Sequence, residues 1–153
     1  MQIEVAKTVA ARPIAAFAIV SNVVDWPDII RSVSNIEVLT PGPIRVGTRM
    51  REDRVMFGAM STHELEIATL ERPRRLHLLV SHPNLHFELD HLIDGVYGGS
   101  CRMMLILRSR PASVPEQTLQ PLMAPFMSVT LRDELEQDLS DLATAVRRHV
   151  SAG

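Results

Sequence analysis

Two histidines, His63 and His91, lie in segments that alternate between apolar and polar residues, as strands with one buried face do. Residues at alternate positions share one face of a strand. Each histidine shares its face mainly with apolar residues: Leu65, Ile67 and Thr69 for the first, and Leu85, Phe87 and Leu89 for the second. Both imidazoles are therefore predicted to point inward, where either could act as a general acid or base near neutral pH. The alternative is a histidine that hydrogen-bonds to backbone or water, or that only orients a ligand.

Two arginines, Arg49 and Arg51, would bind a carboxylate or stabilise an enolate if they faced a cavity. The segment 46–57 does not show which of its faces is buried, because its apolar residues occupy both alternating sets: Val46 and Met50, then Val55 and Phe57. A β-bulge would reconcile the two sets, since one extra residue switches the face. Without a bulge, the two arginines lie either on the outer surface or along the cavity.

Other kinds of chemical site have little support in the sequence. His86, Glu88 and Asp90 are of metal-ligand type, but alternation explains them as the solvated side of a half-buried sheet. Cys101 has no recognisable neighbour that would lower the pKa of its thiol. The chain has neither a Gly-x-Ser-x-Gly elbow before a helix nor a glycine-rich phosphate loop. We therefore predict no metal and no cofactor.

The elements that position these residues are mostly strands. Alternation and turn residues predict seven of them, near 2–10, 35–40, 46–57, 60–70, 74–81, 85–93 and 100–109. The separators, such as Gly58 and Arg72-Pro73, leave no room for crossover helices, so neighbouring strands are expected to pair antiparallel.

Helices flank this run of strands. A short helix is predicted from Pro13 to Val20 and another from about Asp25, before the second strand. A long helix is predicted from an N-cap near Thr118, with a kink at Pro125 and an apolar stripe of Leu131, Leu135, Leu139, Leu142, Val146 and Val150. Near the kink, three flexible or aromatic side chains form either an adaptable cavity wall or ordinary core: Met123, Phe126 and Met127.

Composition indicates one ordinary globular domain over residues 1–153. Hydrophobic residues make up 46% of the chain and charged residues 22%. The net charge of -2 argues against nucleic acid as a partner. No apolar run is long enough to span a bilayer, the N-terminus does not resemble a signal peptide, and a single cysteine suits a reducing compartment. We therefore expect a cytoplasmic protein without stable membrane insertion.

The order of elements and several short strings resemble the START-like (SRPBCC) superfamily, in particular its bacterial polyketide cyclase/dehydrase-related branch. The strings are IEVAKTVAARP at 3–13, DWP at 25–27, RVGTR at 45–49 and LERPRRL at 70–76, together with the closing helix. The resemblance implies an α+β helix-grip fold, in which a seven-stranded antiparallel sheet curves around the C-terminal helix and leaves a largely apolar cavity. Relatives bind lipids, sterols, plant hormones or polyketides, and a minority are cyclases or dehydratases. Many of them carry a second tryptophan where this chain has Ile29.

Three functions are compatible with this reading. The first is binding of an apolar or aromatic small molecule, lipid- or polyketide-like, by a wall of Leu65, Ile67, Leu78, Phe87, Leu89, Met103, Met123, Phe126 and Met127. The second is a polyketide-type cyclase or dehydratase that uses His63 or His91 as acid and base, with Arg49 or Arg51 beside an enolate. The third is an interaction or homodimerisation module that uses Met104 and Ile106 on the outer sheet face.

Overall fold

The computed structural model describes residues 1–82, 85–110 and 114–152, without the side chains of residue 85 and residues 114–128. The side chains of the predicted wall residues Met123, Phe126 and Met127 therefore lie outside the described part. One continuous helix, Val114–Ala152, contains Pro125, and the kink predicted there stays a prediction. Within the described ranges, no helix is long and apolar enough to cross a membrane.

Seven strands form one antiparallel sheet in the spatial order β1-β7-β6-β5-β4-β3-β2. Their bounds are β1 Gln2–Val9, β2 Val33–Val38, β3 Arg49–Met56, β4 Ala59–Glu71, β5 Arg75–His82, β6 Leu85–Val96 and β7 Ser100–Ser109. All seven predicted strands are present. From β2 to β7, strands that follow one another in sequence pair in space, as their short connections require.

The helices lie where the sequence places them. Helix α1 spans Pro13–Val20, a 3-10 turn spans Val23–Asp25, and the short α2 spans Trp26–Ile29. Proline at the start of α1 and in the first turn of α2 costs no helical hydrogen bond, because the first amides of a helix have no partner in it. Helix α3 spans Val114–Ala152 and so begins four residues before the predicted N-cap. The predicted α+β helix-grip arrangement is confirmed.

Helix α3 packs its apolar stripe against β1, β7 and the helices α1 and α2. Five stripe residues are at most 5% exposed: Leu131, Leu135, Leu139, Leu142 and Val146. Val150, predicted to continue the stripe, is 41% exposed because it lies in the last helical turn. The stripe therefore joins the helix to the sheet up to Val146.

Strand β4 changes face near its end. Its pairing with β5 shifts register between Ile67 and Thr69, as at a β-bulge. Beyond the shift, Leu70 pairs with buried Leu76 and packs against the core, while Thr69 pairs with His77. The prediction that Thr69 shares the inner face with His63 is therefore wrong, because the extra residue reverses the alternation.

Candidate functional site

A mostly apolar cavity lies between the sheet and the middle of α3. Five strands contribute its walls, through Met56, Leu65, Leu78, Val80, Phe87, Leu89, Leu105 and Leu107. Trp26 and Ile30 close one side and Leu131 and Leu135 of α3 the other. The cavity volume is about 50 Å³, measured as the space open to the centre of a water molecule. That is room for a few waters, so a larger ligand requires movement of the walls.

Strand β3 directs its even-numbered residues toward the cavity. Met50 and Glu52 are 0% and 4% exposed, and Arg54 and Met56 line the cavity farther along. The pairing of β3 with β4 runs from Arg49↔Glu66 to Met56↔Ala59 without a register shift. There is therefore no bulge in β3, and the second apolar set, Val55 and Phe57, is exposed at the end of the hairpin.

Arg49 and Arg51 consequently lie on the outer face of the sheet. Arg49 forms an ion pair with Glu64, and Arg51 pairs with Glu37 at 2.9 Å. Each of these side chains is more than two-fifths exposed. The hypothesis that either arginine stabilises an anion in the cavity is wrong, because the odd-numbered residues of β3 lie on the face opposite the cavity.

The cavity contains a different arginine, Arg54, which is held by Asp138 of α3 and by Ser32 in the turn before β2. Its Nη2 atom donates to Asp138 Oδ2 of α3 at 2.6 Å and to Ser32 Oγ at 2.9 Å. Ser32 Oγ in turn donates to Asp138 Oδ1 at 3.0 Å. Arg54 and Asp138 have side chains only 13% and 9% exposed. The pair neutralises two buried charges and ties α3 to β3.

Two further carboxyl groups, Glu52 and Glu134, line the cavity, and both lie within electrostatic reach of Arg54. Burial raises the pKa of Glu52, and nearby Arg54, with its Nε atom 3.5 Å from Glu52 Oε1, only partly opposes this. Burial also raises the pKa of Glu134, although the Phe57 amide donates to Glu134 Oε1 at 2.8 Å. Both carboxyl groups therefore bind protons more readily than an exposed glutamate does.

His63 and His91 both line the cavity, at 2% and 3% exposure. Among the described residues, neither ring has a hydrogen-bond partner at either nitrogen. Burial lowers the pKa of each imidazole to about 4, so both are neutral at physiological pH. The His91 ring lies 5.4 Å from the Trp26 ring, and the His63 ring lies 5.4 Å from the His82 ring.

Placement separates the predicted wall residues into three sets. Leu65, Leu78, Phe87 and Leu89 line the cavity. Ile67 and Met103 are 1% and 2% exposed but belong to the packed core, so their predicted place on the cavity wall is not what the structure shows. The third set, the methionines and phenylalanine of α3, lies outside the described side chains.

The outer face of the sheet also departs from prediction at Asp90. This residue is 2% exposed rather than solvated, and it accepts hydrogen bonds from Arg75, His77 and Arg108. Burial alone would raise the pKa of Asp90, but these donors outweigh it and lower the pKa to about 2. Ile106, predicted to meet a partner, pairs with Asp90 in the sheet and is 5% exposed, so it is not available for contact.

Across the described ranges, no three potential metal ligands come together. Cys101 is buried, which raises the pKa of its thiol.

The sequence did not predict the four charged residues of the cavity: Glu52, Arg54, Glu134 and Asp138. For the helical pair a signal existed, because Glu134 and Asp138 follow Leu131 at steps of three and four residues and so fall beside the apolar stripe. For the strand pair, the signal was ambiguous. Met50 indicated that the even-numbered residues are buried, but Val55 and Phe57 indicated the odd-numbered residues equally well.

Solved structures of other proteins share this fold. The aromatase/cyclase Zhui from Streptomyces sp. R1128 superposes with a TM-score of 0.81 at 18% identity, over 98% of this chain and 95% of that one. A START superfamily protein from Mycobacterium smegmatis gives a TM-score of 0.79 at 14% identity, over 96% and 97% of the two chains. The di-domain aromatase/cyclase StfQ of steffimycin biosynthesis gives 0.69 at 14% identity, over 97% of this chain and 46% of its own.

No protein-family model matches the sequence, and no curated protein matches it either. The chain has the START-like helix-grip fold, established by structure at low sequence identity. Within that class, it has the fold of the polyketide cyclase-related proteins.

Proposed function

We propose that the protein binds an apolar or aromatic small molecule, lipid- or polyketide-like, in the cavity between the sheet and α3. The observation that carries this proposal is a mostly apolar cavity that also holds buried polar side chains without partners, His63 and His91. A few polar groups in an apolar pocket are typical of small-molecule sites, where they orient the ligand. The names of the aromatase/cyclase and START structures agree with such a use of the fold.

Trp26, the single tryptophan of the chain, lines the cavity and reports on its occupation. We expect 4-phenylbutanol, a neutral probe with an aromatic body, to change the Trp26 fluorescence saturably. Val80→Phe, which adds volume inside the cavity, is expected to weaken this binding at least about tenfold. Leu79→Phe, one residue away on the outer face of β5, is the matched control and should leave it unchanged. Equal affinity in both variants would contradict binding in the cavity.

Intact mass under native and denaturing conditions, on protein purified without detergent, tests for a ligand acquired in the cell. A released small molecule would identify the chemical class directly. A mass equal to that of the chain alone would restrict the proposal to a weakly held or transient ligand.

A second candidate is a polyketide-type cyclase or dehydratase, favoured by the two neutral buried imidazoles. A neutral imidazole can take a proton from a carbon next to a carbonyl group and return it to a leaving hydroxyl. The assay follows water loss from a linear poly-β-ketone thioester by mass spectrometry. His63→Gln and His91→Gln are expected to abolish turnover while substrate binding remains. Unchanged turnover in both variants would contradict catalysis by these histidines.

A further inference from the structure

The charged end of the cavity holds more carboxyl groups than cations. Glu52, Glu134 and Asp138 line it, and Arg54 is the single cationic side chain among the lining residues that the structure describes. In a low-dielectric site, such an imbalance costs free energy unless protons or a ligand supply the missing positive charge.

The guanidinium group of Arg54 is already paired with Asp138. The 2.6 Å hydrogen bond and the shared Ser32 hydroxyl fix the guanidinium toward α3. Its Nε atom is 3.5 Å from Glu52, a separation that makes no hydrogen bond and leaves this nitrogen without a partner in the described structure. Among the described residues, Glu134 accepts a hydrogen bond from the Phe57 amide and forms no ion pair. Glu52 therefore shares Arg54 with Asp138 at the longer distance, and no second cation of the described residues pairs with either glutamate.

The histidines give an independent indication of the missing group. His63 stands directly opposite Glu52 in the pairing of β3 with β4, on the cavity side of both strands. Both His63 nitrogens and both His91 nitrogens are buried without partners among the described residues. A neutral imidazole has one nitrogen that accepts a hydrogen bond. The cavity therefore offers acceptors from carboxyl and imidazole groups together, which suit a ligand that donates several N–H bonds.

We propose that the ligand is an organic cation: an aromatic or apolar body that carries a protonated amine, which binds between Glu52, Glu134 and His63. This inference rests on the proposed function and specifies the chemical class of its ligand. An ammonium group supplies both the charge and the donors that this end of the cavity lacks. A ligand carboxylate or enolate would instead meet two carboxyl groups beside an arginine that is already paired.

The binding of such a cation depends on pH. In the free protein, the raised pKa of Glu52 reflects burial and the nearby Asp138, opposed by Arg54 of its own strand. Glu134 of α3 and His63 of β4 also face this region, while the β2 neighbour, Ile36, carries no charge. A bound ammonium favours the ionised glutamate, so binding at low pH must displace a proton. The affinity for an amine is therefore expected to rise with pH until Glu52 is ionised in the free protein.

Three ligands with one aromatic body test the proposal: 4-phenylbutylamine, 4-phenylbutanol and 4-phenylbutanoate, titrated against Trp26 fluorescence. We expect the amine to bind at least about tenfold more tightly than the alcohol, and the carboxylate to bind most weakly. An alcohol or carboxylate that binds as tightly as the amine would overturn the organic-cation proposal and leave the proposed function intact. If none of the three bound, both proposals would fail.

Substitutions in the cavity test whether Glu52 and Glu134 are the groups that favour the positively charged ligand. Glu52→Gln is expected to reduce amine affinity about tenfold or more and to remove most of its rise with pH, while alcohol affinity stays within about twofold. Glu64→Gln removes the same charge from the outer face of the sheet and is the matched control. Glu134→Gln tests the same site from α3 and keeps the test valid if the first substitution disturbs folding. Equal amine affinity in wild type and both cavity variants would contradict the proposal.

Discussion

The two cavity histidines make the stability of the protein depend on pH. The imidazole of His91 has a pKa of about 4 in the folded chain against 6.5 for an ordinary histidine. Between these values the unfolded chain binds a proton that the folded chain excludes, so stability falls as pH falls from 6.5 toward 4. Glu52 has the opposite effect in an overlapping range, because its raised pKa favours the protonated folded state. The histidine contribution must therefore be measured as a difference between variants.

His91→Leu is expected to separate this contribution. At about pH 7 the variant should be roughly as stable as wild type, because an apolar side chain replaces a polar one that has no partner. Near pH 5 the advantage of the variant should reach about 2 kcal/mol, since wild type then loses free energy by excluding the proton. Urea unfolding at the two pH values measures the difference. His149→Gln, at an exposed position, is the control. A His91→Leu advantage independent of pH would show that the imidazole does not titrate in this way.

Asp138 offers a second prediction at the scale of single residues. Asp138→Asn removes the charge that neutralises Arg54 and leaves a guanidinium buried among weaker partners. Breaking one side of a buried ion pair typically costs about 3 kcal/mol or more. Glu37→Gln breaks the exposed pair with Arg51 and should cost less than about 0.5 kcal/mol. Urea unfolding of both variants measures the two losses of unfolding free energy. Equal losses would mean that Asp138 contributes no more to stability than a surface charge does.

At the scale of elements, the hairpin between β3 and β4 carries an unusual turn. Its two loop residues, Phe57 and Gly58, have φ angles of 53° and 77°. Two positive φ angles define the turn geometry for which Asn-Gly is preferred, whereas a bulky residue at the first position is strained. Phe57 is also 43% exposed, so burial does not compensate for this strain.

Phe57→Asn is therefore expected to stabilise the protein by about 0.5–1 kcal/mol in urea unfolding. Phe57→Ala separates the effect of the backbone strain on stability from the effect of the aromatic ring, because alanine retains the unfavourable φ angle and removes the ring. Destabilisation by both substitutions would show instead that the exposed ring makes contacts that outweigh the strain.

The order of elements could be predicted from sequence because local signals specify it. Alternating apolar residues predict the strands, and turn residues such as Gly58 separate them. The orientation of β3 could not be predicted, because it depends on a partner from a distant segment. Arg54 is buried beside Asp138 of α3, and no local sequence pattern indicates that ion pair. The bulge in β4 could not be predicted for a similar reason. Thr69 continues the alternation in the sequence, whereas the register shift arises from the pairing with β5. The site was thus least predictable where charges from distant segments meet.

At the scale of the whole molecule, packing divides the interior into two parts. Where α1 and the later turns of α3 meet the sheet, around Val20, Ile93 and Leu142, the space between the side chains is too small to admit a water molecule. The other part contains the cavity and its charged groups, between β3, β4 and the first described side chains of α3. A region with empty space and buried charge has fewer stabilising contacts per residue, so it opens locally at lower free energy.

Hydrogen exchange is expected to show this division. Amides of β3, β4 and residues 131–138 should exchange faster in the free protein than those of β1 and residues 142–149, because local opening starts around the cavity. Saturating 4-phenylbutylamine should slow exchange in the first group by more than in the second, since a ligand stabilises the folded state that binds it. The Glu52→Gln variant, with its weakened amine binding, should retain the division and lose most of the ligand effect. A uniform exchange rate in the free protein would contradict the division, because the cavity would then open only when the whole molecule unfolds.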